Sequence, residues 1–289
     1  MIVEAHGHMD AIVLAAGEGS RFFTKMFEQR QLPRGLEYPI PKTLFPVIVP
    51  HAGTVCKPML EHLVNALSAG GVETIWVATG HLSVKIGAFV KTALGGSNVK
   101  VIPPHPSIDY RKGPIYTLAG TLDYLNEHGE LTKSGFDKMM LLSPADLIID
   151  RKAIWYIAGV PARGMMASRS RVHVIIENRL SKTKTGMHTF LKDIVPQRFQ
   201  NLFDLAMLAC PLVPIVAVHI DVLTSAIKGI ARGRTTFTEV LKDWLEENIR
   251  DEHEFRSELN VIQSIYLGEK FYWYDLDTFD RVKDMESVA

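Results

Sequence analysis

Two glycines and an arginine close the run Leu14-Ala15-Ala16-Gly17-Glu18-Gly19-Ser20-Arg21, and a lysine stands between prolines in Pro41-Lys42-Thr43-Leu44-Phe45-Pro46. Glycine lets the backbone approach phosphate oxygens closely, and a guanidinium at the end of the run can neutralise them. Prolines on either side of Lys42 limit the chain's freedom and present the ammonium to a phosphate or to developing charge. Acids complete the set. The apolar run Met139-Met140-Leu141-Leu142-Ser143-Pro144-Ala145 ends at Asp146, and Trp273-Tyr274-Asp275-Leu276-Asp277-Thr278 carries two more. Alternation along a strand would put Asp275 and Asp277 on one face. Taken alone, Asp146 is better read as the cap of a following helix; the glycine-loop and Lys42 segments shift the reading to metal binding.

Two familiar phosphate-binding patterns are excluded. A dinucleotide loop needs a third glycine where Phe22 stands, and a P-loop needs Gly-Lys-Ser/Thr, which neither segment supplies. There is no His-Glu-x-x-His helix and no Gly-x-Ser-x-Gly elbow. His6-x-His8 suggests a metal hydrolase, but no further ligands of such a site can be identified.

Together, Ala16-Gly17-Glu18-Gly19-Ser20-Arg21 and Pro41-Lys42-Thr43-Leu44-Phe45-Pro46 resemble the opening signature of the sugar-phosphate nucleotidyltransferase superfamily at every defined position. That superfamily includes MobA-like guanylyltransferases and the cytidylyltransferases of polyol and choline phosphates. The resemblance implies a nucleotide site made by Ala15, Ala16, Gly17, Glu18, Gly19 and Ser20, with Arg21 and Lys42 holding phosphates and stabilising the departing pyrophosphate. It also implies a magnesium site at Asp146 and either Asp275 or Asp277, with Asp275 the first choice and phosphate oxygens and water completing the coordination. The expected substrates are an NTP, with CTP or GTP slightly preferred, and a small phosphorylated acceptor.

The chain departs from the family in places. Ala145-Asp146 stands for the more frequent Gly-Asp, and Phe279-Asp280-Arg281 for Pro-Glu-Asp. The segment between the glycine loop and Lys42 is longer than usual; with Lys25, Arg30 and Arg34 it is either a lid over the nucleotide or a solvated basic loop. Gly113, in Arg111-Lys112-Gly113-Pro114, is a candidate base contact, while Arg111 and Lys112 read equally well as a solvated turn. Lys182, Lys184, Lys192 and Asn201 are candidates for the acceptor phosphate and pocket. A nucleotide-sugar-dependent glycosyltransferase and a non-catalytic nucleotide-binding regulator are the rival functions.

Elements must hold these groups. Ala11 to Ala15, Thr74 to Thr79, Val99 to Ile102 and Lys138 to Leu142 read as strands. Helical spacing recurs over Pro58 to Ala69, Val84 to Leu94 and Ile115 to Asn126. Strands separated by helices predict an α/β, doubly wound, mainly parallel, Rossmann-like sheet of the nucleotide-diphospho-sugar transferase type. Further on, Met165 to Ile176 and Ala206 to Val218 read as strands, Leu223 to Ile230 and Thr238 to Ile249 as helices, and Phe271 to Leu276 as a late aromatic strand. Phe279 to Glu286 is expected to be a terminal helix docking back on the body. We expect one domain over 1–289, with 151–270 as an inserted acceptor-side region.

Bulk properties fit this reading. Of the 289 residues 47% are hydrophobic, enough for a large core, and 32 basic residues balance 32 acidic ones. No global positive field exists to attract nucleic acid, so anionic substrates must be handled locally. Only Cys56 and Cys210 are present, and the first residues lack a secretory pattern, which makes a cytoplasmic protein the expectation. The apolar stretch Leu202 to Val222 is broken by Asp204, Pro211, Pro214, His219 and Asp221, so it is read as strand and turn and not as a membrane span.

Overall fold

The computed structural model describes residues 9–29, 35, 38–50, 55–95, 98–131, 139–164, 171–177, 189–202, 208–210, 212–251, 262–267 and 271–287. Its centre is a seven-stranded sheet. Strand β1 (Asp10–Ala15) is flanked by β4 (Ile75–Thr79) and β6 (Met139–Pro144), with β5 (Val99–Ile102) beyond β4. On the other side of β6 come β9 (Leu212–His219), β8 (Val172–Glu177) and β10 (Ile262–Leu267). All pairings are parallel except those of β9, which is antiparallel to both β6 and β8.

The strand order matters for chemistry. From β1 the chain moves outward to β4 and β5, then returns to the opposite side of β1 with β6. Adjacent connections leaving in opposite directions open a crevice at the carboxyl ends of β1 and β6, the switch point where open α/β sheets bind ligands. The glycine loop and Asp146 follow those two ends.

Both faces of the sheet are covered because the strands alternate apolar side chains. Ala11, Val13 and Leu141 join one buried cluster with Leu60, Leu63, Leu67 and Ile154, whereas Ile12, Met140 and Leu142 join another with Leu118, Leu122, Leu223 and Leu241. The first cluster is roofed by α2 (Met59–Ala69), α3 (Ser83–Ala93) and α5 (Arg151–Gly164). The second is roofed by α4 (Pro114–Glu127), α7 (Ile220–Ala231) and α8 (Phe237–Asn248), with the short α6 (Leu191–Ile194) beside them.

Local signals explain several ends. Helix α2 stops in a Schellman arrangement: Val72 N–H donates to Leu67 O, Gly71 N–H to Ser68 O, and Gly71 has φ +90°. Helix α8 begins with a capping box between Thr236 and Glu239. Among the described residues no helix is long and apolar enough to cross a membrane.

A third cluster lies off the sheet and holds the chemistry-bearing segments together. It joins α1 (Ser20–Glu28), the hairpin of β2 (Pro46–Ile48) and β3 (Cys56–Pro58), and α9 (Phe279–Ser287). Phe22 is fully buried there, with its ring edge-on to Phe45 at 5.0 Å and to Phe279 at 5.6 Å. The residue that spoils a dinucleotide loop is therefore the aromatic anchor of α1.

The expected strands and helices of the first half are present with shifts of one or two residues. Expected strand 165–176 is observed as β8 from Val172, with 165–170 outside the described residues. Expected strand 206–218 is observed as β9 from Leu212, with 206, 207 and 211 likewise outside. The late aromatic strand is shorter than expected: β11 covers Trp273–Asp275 and pairs antiparallel with β7 (Leu147–Ile149) in a separate two-stranded ribbon. The terminal helix α9 docks as expected, burying Phe279, Val282 and Met285.

Candidate active site

The glycine loop turns directly from β1 into α1. Gly19 occupies the N-cap with φ +68°, and no side chain caps the helix. The first N–H groups of α1 thus have no side-chain acceptor, an arrangement that suits an anion. A β-carbon on Gly19 would lie 2.7 Å from Lys42 Cβ, so the loop and the lysine segment touch at a position only glycine can fill. At Gly17 a β-carbon would meet nothing within 4 Å. Its backbone instead borders open space.

That space is a cavity of about 460 Å3. Ala15, Ala16, Gly17, Glu18, Gly19, Ser20 and Gly113 all line it, together with Arg21, Lys42, Asp146 and Asp277. The sequence-based nucleotide and phosphate residues therefore converge on one hollow at the switch point.

Charges around it are paired, two of the pairs across segments distant in sequence. Lys42 Nζ lies 2.5 Å from Asp146 Oδ2, and Lys42 is buried on a short 3-10 turn, Lys42–Leu44, between its prolines. Arg21 is 3.7 Å from Asp277 Oδ2, and Arg281 is 3.8 Å from Asp277 Oδ1. Asp277 Oδ1 and the neighbouring Thr43 Oγ1 are buried without a hydrogen-bond partner. Buried acceptors are normally satisfied, so two orphans on one cavity wall are the mark of a place built for a ligand.

The β7–β11 ribbon brings the C-terminal acids to Asp146. Asp275 pairs in register with Leu147, and Leu276 N–H donates to Asp146 O at 3.1 Å. The strand ends at Asp275, and Asp277 falls in the bend that leads to α9. The alternation expected of a strand does not extend to Asp277, which lies beyond β11; it lines the glycine-loop cavity, and Asp275 lines an adjoining one of about 330 Å3. Burial, followed by the charges of Asp146 and Asp277, pushes the Asp275 carboxyl up to about 7. The three carboxylates therefore sense one another.

Magnesium is a hard cation that takes oxygen ligands, usually one or two carboxylates plus substrate phosphates and water. Among the described residues no group of three or more His, Cys, Asp or Glu side chains is arranged to hold a metal by itself. Two carboxylates on the wall of the glycine-loop cavity, one with an unsatisfied buried oxygen, fit magnesium carried in with a nucleotide.

The adjoining cavity shares Leu14, Pro114 and Pro144 with the first, so the two are continuous. Its walls are mostly aliphatic, with Phe237 and Trp273; β8, β9, α6 and α8 of the 151–270 region supply much of them, and the ends of β1 and β6, the start of α4, and β11 also contribute. Lys192 lines neither cavity and lies over the Phe190 ring at 5.3 Å. Exposed Asn201 is also in neither wall. Lys182 and Lys184 lie outside the described residues, as do His6, His8, Arg30 and Arg34. Lys25 is exposed on α1 and pairs with Glu28 at 2.9 Å, as a surface lysine does.

Other wall residues escaped the sequence reading. Tyr110, Thr43 and Thr117 line the glycine-loop cavity. A β-carbon on Gly80 would come within 2.7 Å of the Tyr110 ring and 2.6 Å of Ala16 Cβ, so glycine there lets Tyr110 approach the loop. No local spacing signals that contact. Arg111 does line the cavity, held by Asp109 at 2.9 and 3.2 Å. Gly113, with φ +142°, is closed against Thr235, whose carbonyl oxygen would lie 2.6 Å from a β-carbon.

No family model and no curated protein matches the sequence. Solved structures do match the fold. A protein named as a glucose-1-phosphate thymidylyltransferase from Bacillus anthracis is 17% identical with a TM-score of 0.60, over 97% of this chain and 95% of that one. A nucleotidyl transferase from Methanothermobacter is 17% identical with a TM-score of 0.55, over 98% and 100%. The inositol-1-phosphate CTP transferase from T. maritima is 13% identical with a TM-score of 0.62, over 97% and 98%. The chain has the α/β fold of these nucleotidyltransferases, with its mainly parallel sheet.

Proposed function

We propose that the chain is a nucleotidyltransferase that moves the NMP group of an NTP onto the phosphate of a small acceptor. The observation that carries this reading is the single cavity gathering an uncapped helix N-terminus, Arg21, Lys42, Asp146 and Asp277 at the switch point. Glycosyl transfer does not require that basic pair. The names of the structural neighbours, which include a thymidylyltransferase and a CTP transferase, support the same class.

In the proposed reaction an acceptor phosphate oxygen attacks the α-phosphorus in line. The new P–O bond forms as the bond to the β-phosphate bridging oxygen breaks, and pyrophosphate leaves with that electron pair. No proton has to be removed from a phosphate already ionised at neutral pH, so positioning and charge neutralisation supply the catalysis. The N–H groups of α1 and the Gly17 backbone cradle the phosphates, while Arg21 and Lys42 neutralise the charge developing on the leaving group. Asp146 and Asp277 would hold Mg2+, which supplies Lewis-acid neutralisation of the phosphate oxygens when bound. The apolar adjoining cavity receives the organic part of the acceptor, as the acceptor-side region.

CTP and GTP are the first donors to test, and sugar and polyol phosphates the first acceptors. The deciding experiment is pyrophosphate release with four NTPs against sugar, polyol and amino-alcohol phosphates. Release that needs both substrates supports the assignment; sugar transfer from a nucleotide sugar without pyrophosphate release replaces it with glycosyl transfer. We place the enzyme in the cytoplasm, acting on small molecules and not on nucleic acid.

A further inference from the structure

A larger hollow, of about 690 Å3, borders the β7–β11 ribbon and shares no lining residue with the glycine-loop cavity or the one adjoining it. Its apolar floor includes Ile148 and Ile149 of β7, and Tyr272 stands at the ribbon's end. The ribbon is closed at this end by Asp150 N–H donating to Tyr272 O at 3.0 Å, and at the other by the Leu276 bond to Asp146. A ligand here would therefore be separate from one among the catalytic acids.

The rim is basic. Lys57, Arg151 and Lys152 line it, and of these Lys57 is paired with Glu61 at 2.7 Å. Arg151 and Lys152 have no ion-pair partner among the described residues and are exposed. Asp150 is the acid on the wall, and its Oδ1 accepts the Lys152 N–H at 2.9 Å, capping α5. The helix terminus is thus already satisfied, so anion binding falls to the two side chains. A cavity of several hundred Å3 with an apolar floor and two cations on its rim is suited to an anion with an organic body.

We propose that this hollow is a second binding site, for an organic phosphate, with the phosphate on Arg151 and Lys152 and the organic part over Ile148 beside Tyr272. The proposal does not depend on the transfer reaction, because it concerns binding alone.

Isothermal titration of the full chain tests it with CTP, glucose 1-phosphate and inorganic phosphate as probes. The Lys42→Ala background weakens binding in the glycine-loop cavity and leaves the second site intact. At least one organic probe should bind that background, and adding Arg151→Gln with Lys152→Gln should raise its Kd tenfold or more. In the unmutated chain the same probe should shift the Tyr272 ring resonances, a readout independent of whether the variants fold. The proposal is overturned if neither organic probe binds, if the double substitution leaves Kd unchanged, or if inorganic phosphate binds as tightly as the organic probe.

Discussion

The Lys42 ammonium lies 2.5 Å from the Asp146 carboxylate, joining the proline-flanked segment to the end of β6 across the sheet's switch point. Both groups are largely shielded from water, which strengthens their attraction. In the proposed site the lysine and a magnesium ion would share that one carboxylate. Nucleotide phosphates would then take over the ammonium as the metal takes the acid.

Replacing Lys42 by Ala should therefore have two opposite effects. Turnover should fall about a hundredfold or more, the usual cost of losing one charge-stabilising group in a buried site. Magnesium should bind the nucleotide-free variant more tightly, since Asp146 has lost its partner. Pyrophosphate-release kinetics and metal titration read the two; unchanged turnover at saturating substrates would remove Lys42 from the mechanism.

Asp275 and Asp277 should separate by function because Asp277 lines the glycine-loop part of the joined cavities and Asp275 the apolar part. Asp277→Asn should raise the Mg2+ concentration for half-maximal activity roughly tenfold or more, since one anionic ligand becomes neutral. Asp275→Asn should act chiefly on the acceptor KM. A chelator should abolish turnover of the unmutated enzyme, with Mg2+ restoring it. Equal metal dependence in the two variants would contradict this division.

The glycine loop offers a second contrast, between neighbours of the same type. Gly19→Ala forces a β-carbon into a left-handed position 2.7 Å from Lys42 Cβ, a strain of about 1–2 kcal/mol before the clash is counted. Both melting temperature and activity should drop. Gly17→Ala meets no protein atom within 4 Å, so stability should change by less than about 0.5 kcal/mol while the NTP KM rises. Thermal melts beside NTP titrations decide the point, and a stable, fully active Gly19→Ala protein would refute the close-approach argument.

What the sequence could reveal depended on whether the information was local. The β1 and β6 strands are continuous apolar runs buried on both faces, and the loop and Lys42 motifs are short and complete, so the convergence of these segments at the end of β1 was legible from them. Helix α1 was not, because its polar face and its glycine N-cap carry no ordinary capping signal. The division of Asp275 from Asp277 depends on where β11 ends, a boundary fixed by pairing with β7 and not by alternation. Tyr110 reaches the site through space left by Gly80, and Lys192 turns to its own neighbour Phe190; both facts belong to tertiary packing.

Phe22 connects that packing to catalysis. Its ring is the shared contact of α1, the Lys42 segment and α9. Phe22→Ala should destabilise the fold by about 3–5 kcal/mol, the range for a fully buried phenylalanine. Phe22→Leu should recover much of that stability in urea unfolding but still lower turnover, because Arg21 and Lys42 would lose their fixed spacing. Full turnover by a folded Phe22→Leu protein would show that the aromatic cluster only stabilises.

His173 makes the acid limit of the fold predictable. It is buried on β8 with Nδ1 unpartnered, and burial lowers its pKa from 6.5 to about 4. Above about 6.5 the ring is neutral in both folded and unfolded chains and contributes no pH dependence. As pH falls from there towards 4, the unfolded chain takes up a proton that the native chain refuses, so native stability declines; below 4 the loss levels off. The full difference amounts to roughly 3 kcal/mol. Urea unfolding of the unmutated chain and of His173→Phe at pH 7.5 and 4.5 isolates this contribution, since phenylalanine cannot titrate. The variant should lose less stability between the two pH values, and equal losses in both proteins would show that other groups set the acid transition.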